Sequence, residues 1–237
     1  MNNELATISL FNLAIAFIPV LAVVVILIKW KLPQKPTLMA LSRMLVQLLL
    51  VGYLLTYIFA SESAGLVLAL LIIMVLFSSK IALSNIKLAN QSLFIRAFLA
   101  ITLSSIFTLL IITQGVLTLQ PWYKAQTVIP LAGMIFASAM NSVSLCGERF
   151  YAEIEHDVSY EKARNIAFQA SMIPNINALL AVGVVSLPGM MTGQILSGTS
   201  PFIAARYQIM VMCMIFASAG LASACFLYLN KKAIKNL

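Results

Sequence analysis

The stretch "SLPGMMTGQILSGTSP", Ser186 to Pro201, closes an apolar run that begins at Ile176. It holds two prolines and three glycines but no charge. In a helix interior Pro188 has no N–H for the carbonyl of Val184, and its ring crowds that turn, at a cost of about 3 kcal/mol. Gly189 beside it lets the backbone bend. If the run lies in lipid, the freed backbone groups must meet protein or water. The stretch therefore predicts a broken or kinked membrane span whose break faces a cavity or the protein interior. Gly189 and Gly193 are also spaced as a GxxxG pair, with Ser197 one turn further on, a ridge that admits a close helix neighbour. Interrupted spans of this kind are common where transporters bind or gate their cargo.

The rest of the chain supplies the lipid that this reading needs. Of 237 residues, 62% are hydrophobic and only 9% are charged, too little polar surface for a soluble domain of this size. A helix needs about twenty apolar residues to cross the hydrocarbon core. Seven such runs are present: Thr7–Ile28, Leu38–Phe59, Ala64–Ser79, Ala97–Thr113, Gln126–Leu145, Ile176–Leu196 and Tyr207–Leu229. The third and fourth are short, and snorkelling of Lys80 and Arg96 extends them. Continuous rather than alternating apolarity excludes a β-barrel. The expected fold is an all-α polytopic bundle of about seven transmembrane helices, one permease-like domain over residues 1–237. The first run lacks the basic start and small-residue cleavage site of a signal peptide and is expected to stay as a span. Cys146, Cys213 and Cys225 show no paired spacing and are expected to be unpaired packing residues.

The net charge of +8 does not indicate nucleic acid, because the basic residues fall in short clusters between apolar runs. Alternate loops and the tail hold thirteen of the fifteen, and the remaining loops hold only Lys124 and Arg206. The positive-inside bias then places the N-terminus outside and the C-terminus in the cytoplasm, in the inner (plasma) membrane of the cell. One loop differs in kind. Residues 146–175 carry Glu148, Glu153, Glu155, Asp157 and Glu161, five of the seven acidic residues of the chain. Tyr151, Ile154 and Val158 share one helical face, and Ala163, Ile166, Ala167, Ala170 and Ile173 share another. Ser159 is the expected N-cap and Pro174 the expected end. The segment is read as a pair of amphipathic cytoplasmic helices, either simply solvated or docking a soluble protein.

The chemistry is notable for what the sequence lacks. It has no GxxxxGK[ST] loop for nucleotide phosphates, no nucleophile elbow and no HExxH. The apolar runs contain no Asp or Glu, and the outer turn holds Glu62. Proton-driven carriers and membrane hydrolases usually need titratable groups within the membrane, so both classes lose ground, and no enzyme activity is expected of this chain. His156 is expected to be a solvated surface histidine. The neutral polar groups Gln47, Asn85, Ser104, Ser105, Ser138, Asn141, Ser142, Asn177, Ser186, Thr192, Gln194 and Gln208 either join helices or line a path. Arg43 and Gln47 stand one helical turn apart. Met190, Met191, Met210, Met212 and Met214 invite a soft-metal reading, but thioethers also fill apolar gaps. A second Pro-Gly stretch, "VIPLAGM" at Val128–Met134, opens the fifth run and suggests a second interrupted span.

Four segments carry a resemblance to a known family. "SRMLVQLLLVGYLLTYIF" (Ser42–Phe59), "VIPLAGMIFASAMNSVSL" (Val128–Leu145), "INALLAVGVVSLPGMMTGQILSGTSP" (Ile176–Pro201) and "RYQIMVM" (Arg206–Met212) resemble the FetB-type permeases. That family is described as the membrane subunit of an iron-export ABC transporter, with plant relatives linked to aluminium tolerance. The resemblance implies a homodimer working with a separate cytoplasmic, FetA-like ATP-binding subunit. ATP and magnesium would then bind the partner, with no cofactor in this chain. On this reading Gln47, Asn141, Asn177, Pro188, Gly189, Gly193 and Gln194 belong to the path or gate. Glu153, Glu155, Glu161 and Arg164 would dock the ATPase. Iron itself is not supported by the residues, because hard cations want carboxylate or imidazole ligands and the spans offer neither. A carrier working alone and a non-transporting membrane scaffold are the alternatives.

Overall fold

The computed structural model describes residues 8–60, 63–84, 86 and 90–234, apart from the side chains of 60 and 232–234. Thr7, Glu62 and Asn85, named above, lie outside the described residues. The chain divides into two units, Met1–Ala60 and Ser61–Leu237.

In the first unit α1 (Leu10–Ile15) starts at Ser9, whose Oγ accepts a bond from Asn12 N at 3.1 Å. α2 (Phe17–Lys29) follows after Ala16, and α3 spans Lys35–Ala60. Pro19 explains the α1–α2 break: it offers no N–H to the carbonyl of Ile15, and its ring crowds that turn. Together α1 and α2 make one apolar segment long enough to cross a membrane, and α3 makes another. Their apolar side chains are almost all exposed, which suits helices solvated by lipid.

The second unit contains α4 (Ala64–Ala82), α5 (Gln91–Leu110, continued by a π-helical turn Ile111–Val116), α6 (Ala125–Glu155), α7 (Tyr160–Ala181), α8 (Gly189–Leu196) and α9 (Pro201–Ile234). Asn90 caps α5, accepting from Leu93 N at 2.8 Å. Pro201 opens α9 where its missing N–H costs nothing. Side-chain contacts set the directions. Met74 meets Gly133 and Ile86 meets Gly147, so α4 runs parallel to α6. Ser138 bonds the Ile215 carbonyl and Ser142 bonds Ser223, so α9 is parallel to α6 as well. α5 is antiparallel to both: Arg96 reaches Asn230 at one end, and Ile112 packs with Leu131 and Val211 at the other. α7 also runs against α6, with Ala163 and Ala167 on Cys146 and Phe150, then Ser171 on Ser142. Small residues at the crossings, Ala97, Ala100, Ala132, Ala139 and Ala222, are fully buried and let the backbones approach closely.

An all-α polytopic bundle is what the composition predicts, and six segments are long and apolar enough to span a membrane. The sixth expected span, Ile176–Leu196, is not one helix. The chain crosses there in two pieces, α7 ending at Ala181 and α8 starting at Gly189. α8 reaches the end of the bundle where α6 and α9 begin, its Met190 and Gln194 facing Pro130 and Tyr207. The unit is therefore traversed five times.

Three expectations about helix ends are corrected. Pro174 lies inside α7. Buried Ser171 and Met172 before it, and the Asn175–Ser138 contact after it, outweigh the cost of a mid-helix proline. Pro130 lies inside a continuous α6, so the fifth span is not interrupted. The acidic segment is not a separate pair of helices, because Cys146–Glu155 continues α6 and only residues 156–159 interrupt the path into α7. Ser159 does occupy the N-cap position of α7, with Glu161 in its first turn, but its side chain makes no capping bond.

Candidate translocation site

The break in the α7–α8 crossing is built by glycine more than by proline. Gly183 has φ +83°, a conformation that side-chain-bearing residues rarely adopt. It allows the carbonyl of Ala181 to accept from Val184 N at 3.3 Å, Val185 N at 2.8 Å and Ser186 N at 3.1 Å, while Gly183 N bonds Ser186 O at 2.9 Å. The turn thereby satisfies its own donors. Pro188 comes after the turn, as the extended residue that starts α8, and its carbonyl accepts from Thr192 N and Oγ1. The sequence locates the interruption correctly but attributes it to Pro188, whereas the helix ends at Ala181, seven residues earlier.

Two cavities flank this broken crossing along one stripe of α6. The larger, of about 600 Å³, is lined by Lys124, Gln126, Pro130 and Met134 of the start of α6, by Met190 and Gln194 of α8, and by Tyr207 and Met210 of α9. Gln194 Oε1 is buried there without a hydrogen-bond partner, and nearby in sequence Gln208 Oε1 is in the same state. A buried, unpaired amide oxygen is costly, and a bound molecule or water that donates a hydrogen bond relieves it. The smaller cavity, of about 340 Å³, shares Met134 and adds Ser138, Asn141, Ser142, Ser171 and Asn175. Between them α6, α7 and α9 are joined by hydroxyls: Ser142 to Ser223 at 2.8 Å, Ser171 to Ser223 at 3.4 Å, and Ser138 to the Ile215 carbonyl at 3.0 Å.

Of the seven expected path residues, Gln194 and Asn141 line these cavities, in different ones. Asn177 is exposed on α7, outside both. Gly189 and Gly193 lie on α8, and a Cβ at either would meet nothing within 4 Å, so among the described residues of this unit none packs against the GxxxG ridge. Gln47 is an exposed residue of α3 in the other unit. Ser171, Asn175 and Ser223 complete the polar seam; the first two fall before the sixth expected span, and nothing local to Ser223 marks the helix that faces it. Met210 and Met214 pack with Ile112, Leu131, Ile135 and Val211. The three cysteines are unpaired, and only Cys146 is buried.

The opposite end of the bundle is basic and hydrogen-bonded. Arg149 and Glu153 form an ion pair at 2.6 Å; Glu155 and Glu161 are exposed. Arg164 donates to Asn165 Oδ1 at 3.0 and 3.1 Å. Arg96, expected to snorkel outward, turns inward and donates to Asn230 Oδ1 at 2.8 Å, an oxygen that also accepts from Tyr151 OH at 3.0 Å.

The model of a family described as Uncharacterised protein family (UPF0014) matches residues 10–234. The chain belongs to the UPF0014 family. It is 36% identical to the "Probable iron export permease protein FetB" of Escherichia coli, over 93% of this chain and 90% of that protein. A UPF0014 membrane protein of Synechocystis is 34% identical over 77% of this chain and 76% of its own length. The "Protein ALUMINUM SENSITIVE 3" of Arabidopsis thaliana is 26% identical over 80% and 74%. No solved structure matches the chain. Among the described residues of this UPF0014 protein, no three His, Cys, Asp or Glu side chains gather where they could hold a metal ion.

Proposed function

We propose that this UPF0014 protein is a permease, the membrane subunit of an exporter driven by ATP hydrolysis on a separate cytoplasmic subunit. The observation that carries the reading is the broken α7–α8 crossing beside two cavities, in a chain 36% identical to a relative named as an iron export permease. The absence of a phosphate-binding loop from the sequence agrees with a partner that binds ATP and magnesium. The end of the second unit that bears Lys80, Arg96, Arg149, Lys162, Arg164 and Lys231 faces the cytoplasm, and the end with Lys124 and Arg206 faces outward, by the positive-inside bias. With the N-terminus outside, the membrane is the inner (plasma) membrane. The cargo is iron or another metal species. With no carboxylate or imidazole on the cavity walls, it is held weakly or travels as a complex.

A second copy of the chain completes the site on this reading. Val184, Val185 and Leu187 at the break are 90%, 82% and 60% exposed, and irregular backbone at membrane depth needs protein or water against it. The open Gly189–Gly193 ridge gives a partner helix room to approach.

The hairpin at the end of α6 and the start of α7 docks the ATPase through Glu153, Glu155 and Glu161. Reversing the three carboxylates to lysine is expected to reduce the ATP-binding subunit that copurifies by about tenfold, because like-charge contacts suppress a docked complex. Unchanged copurification, with the variant still monodisperse, would remove this role. Gly183→Val is expected to lower cargo-stimulated ATP hydrolysis in liposomes several-fold, because a β-branched residue resists the left-handed turn by about 1–2 kcal/mol. Pro188→Ala should have the smaller effect, since the turn forms before it. Equal activity of Gly183→Val and wild type would show that the break is not a moving part.

A further inference from the structure

We propose that a groove between α7 and α9, at the basic end of the bundle, binds the phosphate headgroup of an anionic phospholipid. The groove has a volume of about 510 Å³ and is lined by Tyr160, Arg164 and Phe168 of α7 and by Leu227, Tyr228 and Lys231 of α9. Two cations converge on one aromatic ring. The Arg164 guanidinium stands 5.9 Å from the centroid of the Tyr160 ring and the Lys231 ammonium 6.0 Å from it. The two charges are thus within about 12 Å of each other, and no acidic residue lines the groove. Among the described residues the ion pair within 4 Å is Arg149–Glu153, which leaves Arg164 and Lys231 without a carboxylate.

Tyr160 is fixed in this position. Its hydroxyl donates to the Leu227 carbonyl at 3.0 Å, and its ring meets Phe150 edge-on at 5.9 Å. The ring is therefore a fixed wall of a groove that both cations line, with the Tyr228 hydroxyl, on a residue 74% exposed, available as a donor. The remaining lining is the apolar wall of Phe168, Leu227 and Ala224, together with the amides of Asn165 and Gln169. That combination suits a molecule with an anionic head and a hydrocarbon tail better than a free anion, which gains nothing from the apolar wall. The position agrees, because the apolar stretch of α9 ends at Lys231, where headgroups begin. Basic pockets between membrane helices recognise acidic lipids by this chemistry. The inference reassigns Arg164 from ATPase docking to lipid, and it does not depend on the cargo or on the ATPase.

The test uses the full chain in nanodiscs containing equal amounts of phosphatidylglycerol and phosphatidylcholine, followed by native mass spectrometry of the released protein. Wild type is expected to retain phosphatidylglycerol in preference to phosphatidylcholine. Arg164→Gln and Lys231→Gln should each reduce the retained phosphatidylglycerol about fivefold, the contribution of one surface cation. Lys162→Gln, an exposed neighbour outside the groove, should leave it unchanged. An equal loss in Lys162→Gln, or equal retention of the two lipids by wild type, would overturn the site. Displacement of the lipid by millimolar inorganic phosphate would assign the groove to a soluble anion instead. Loss of the copurifying ATP-binding subunit in the double variant, with lipid retention unchanged, would assign it to the partner protein. Both side chains are exposed, so melting temperatures matching wild type confirm that the variants fold.

Discussion

Gly147→Leu is expected to abolish the folded bundle. At Gly147 of α6 both Ile86, which follows α4, and Phe226 of α9 pack close to the backbone. A Cβ there would stand 2.5 Å from Ile86 Cδ1 and 3.3 Å from the Phe226 ring. Phe226 is fully buried and Ile86 is 6% exposed. A single methyl displaces the tip of Ile86, so Gly147→Ala should remain folded with a cost of about 1–3 kcal/mol from overpacking. A leucine must also push aside a buried aromatic ring, and the only way to make room is to separate the helices. Size-exclusion chromatography in detergent should show loss of the monodisperse peak for Gly147→Leu and a lowered melting temperature for Gly147→Ala. Ile86→Ala, which empties the space that the new methyl needs, should restore part of the stability of Gly147→Ala. A leucine variant that melts with the wild type would mean that these three segments are not in contact here.

Asn230→Leu is expected to cost about 3 kcal/mol, which for a chain of this length lowers the melting temperature by roughly 6–12 °C. Asn230 is fully buried. Its Oδ1 accepts from Arg96 of α5 and Tyr151 of α6, and its Nδ2 donates to the Phe226 carbonyl at 2.7 Å. One amide thereby ties three helices together. Leucine has the same branching and is the larger residue, so it opens no void, and the loss comes from taking the shared acceptor away from the Arg96 guanidinium and the Tyr151 hydroxyl. Asn230→Asp keeps both acceptor bonds and should lose much less. Pairing Arg96→Leu with Asn230→Leu should recover part of the deficit, because the unpaired charge is then gone; additive losses would show that the network carries no coupling.

The amount of fold legible in the sequence varied with the kind of signal. Span positions follow from apolar run length, and α4, α5, α6 and α9 each contain the run expected for them. Helix ends do not follow from it. α6 continues ten residues past Leu145 because Cys146 and Phe150 have α7 and α9 to pack against, and such tertiary burial is not written in local periodicity. Prolines misled for the same reason: Pro130 and Pro174 are tolerated inside helices, whereas Pro19 breaks one. Gly183, which supplies the left-handed turn, is unremarkable in a run of valines until its φ is known. Gln194 was identifiable as a polar residue in an apolar run, and it does line a cavity with its oxygen unpaired. Its companions Ser138 and Ser142 were identifiable too, but the partners they meet on α7 and α9 were not. Asn230 borders the basic tail, and nothing in the local sequence marks it as buried.

The hydroxyl seam has a repeat that matters for motion. On α6 the polar positions are Ser138 and Ser142, and on α7 they are Ser171 and Asn175, four residues apart in each case. If α7 advances by one turn, about 5.4 Å, Asn175 comes opposite Ser142, and if it retreats, Ser171 comes opposite Ser138. Either step re-forms one polar pair and sets one polar position of each helix against an apolar neighbour, whereas the observed register pairs all four positions. The two helices therefore fit like a key in one lock, and a slide of α7 in either direction has to give up a pair.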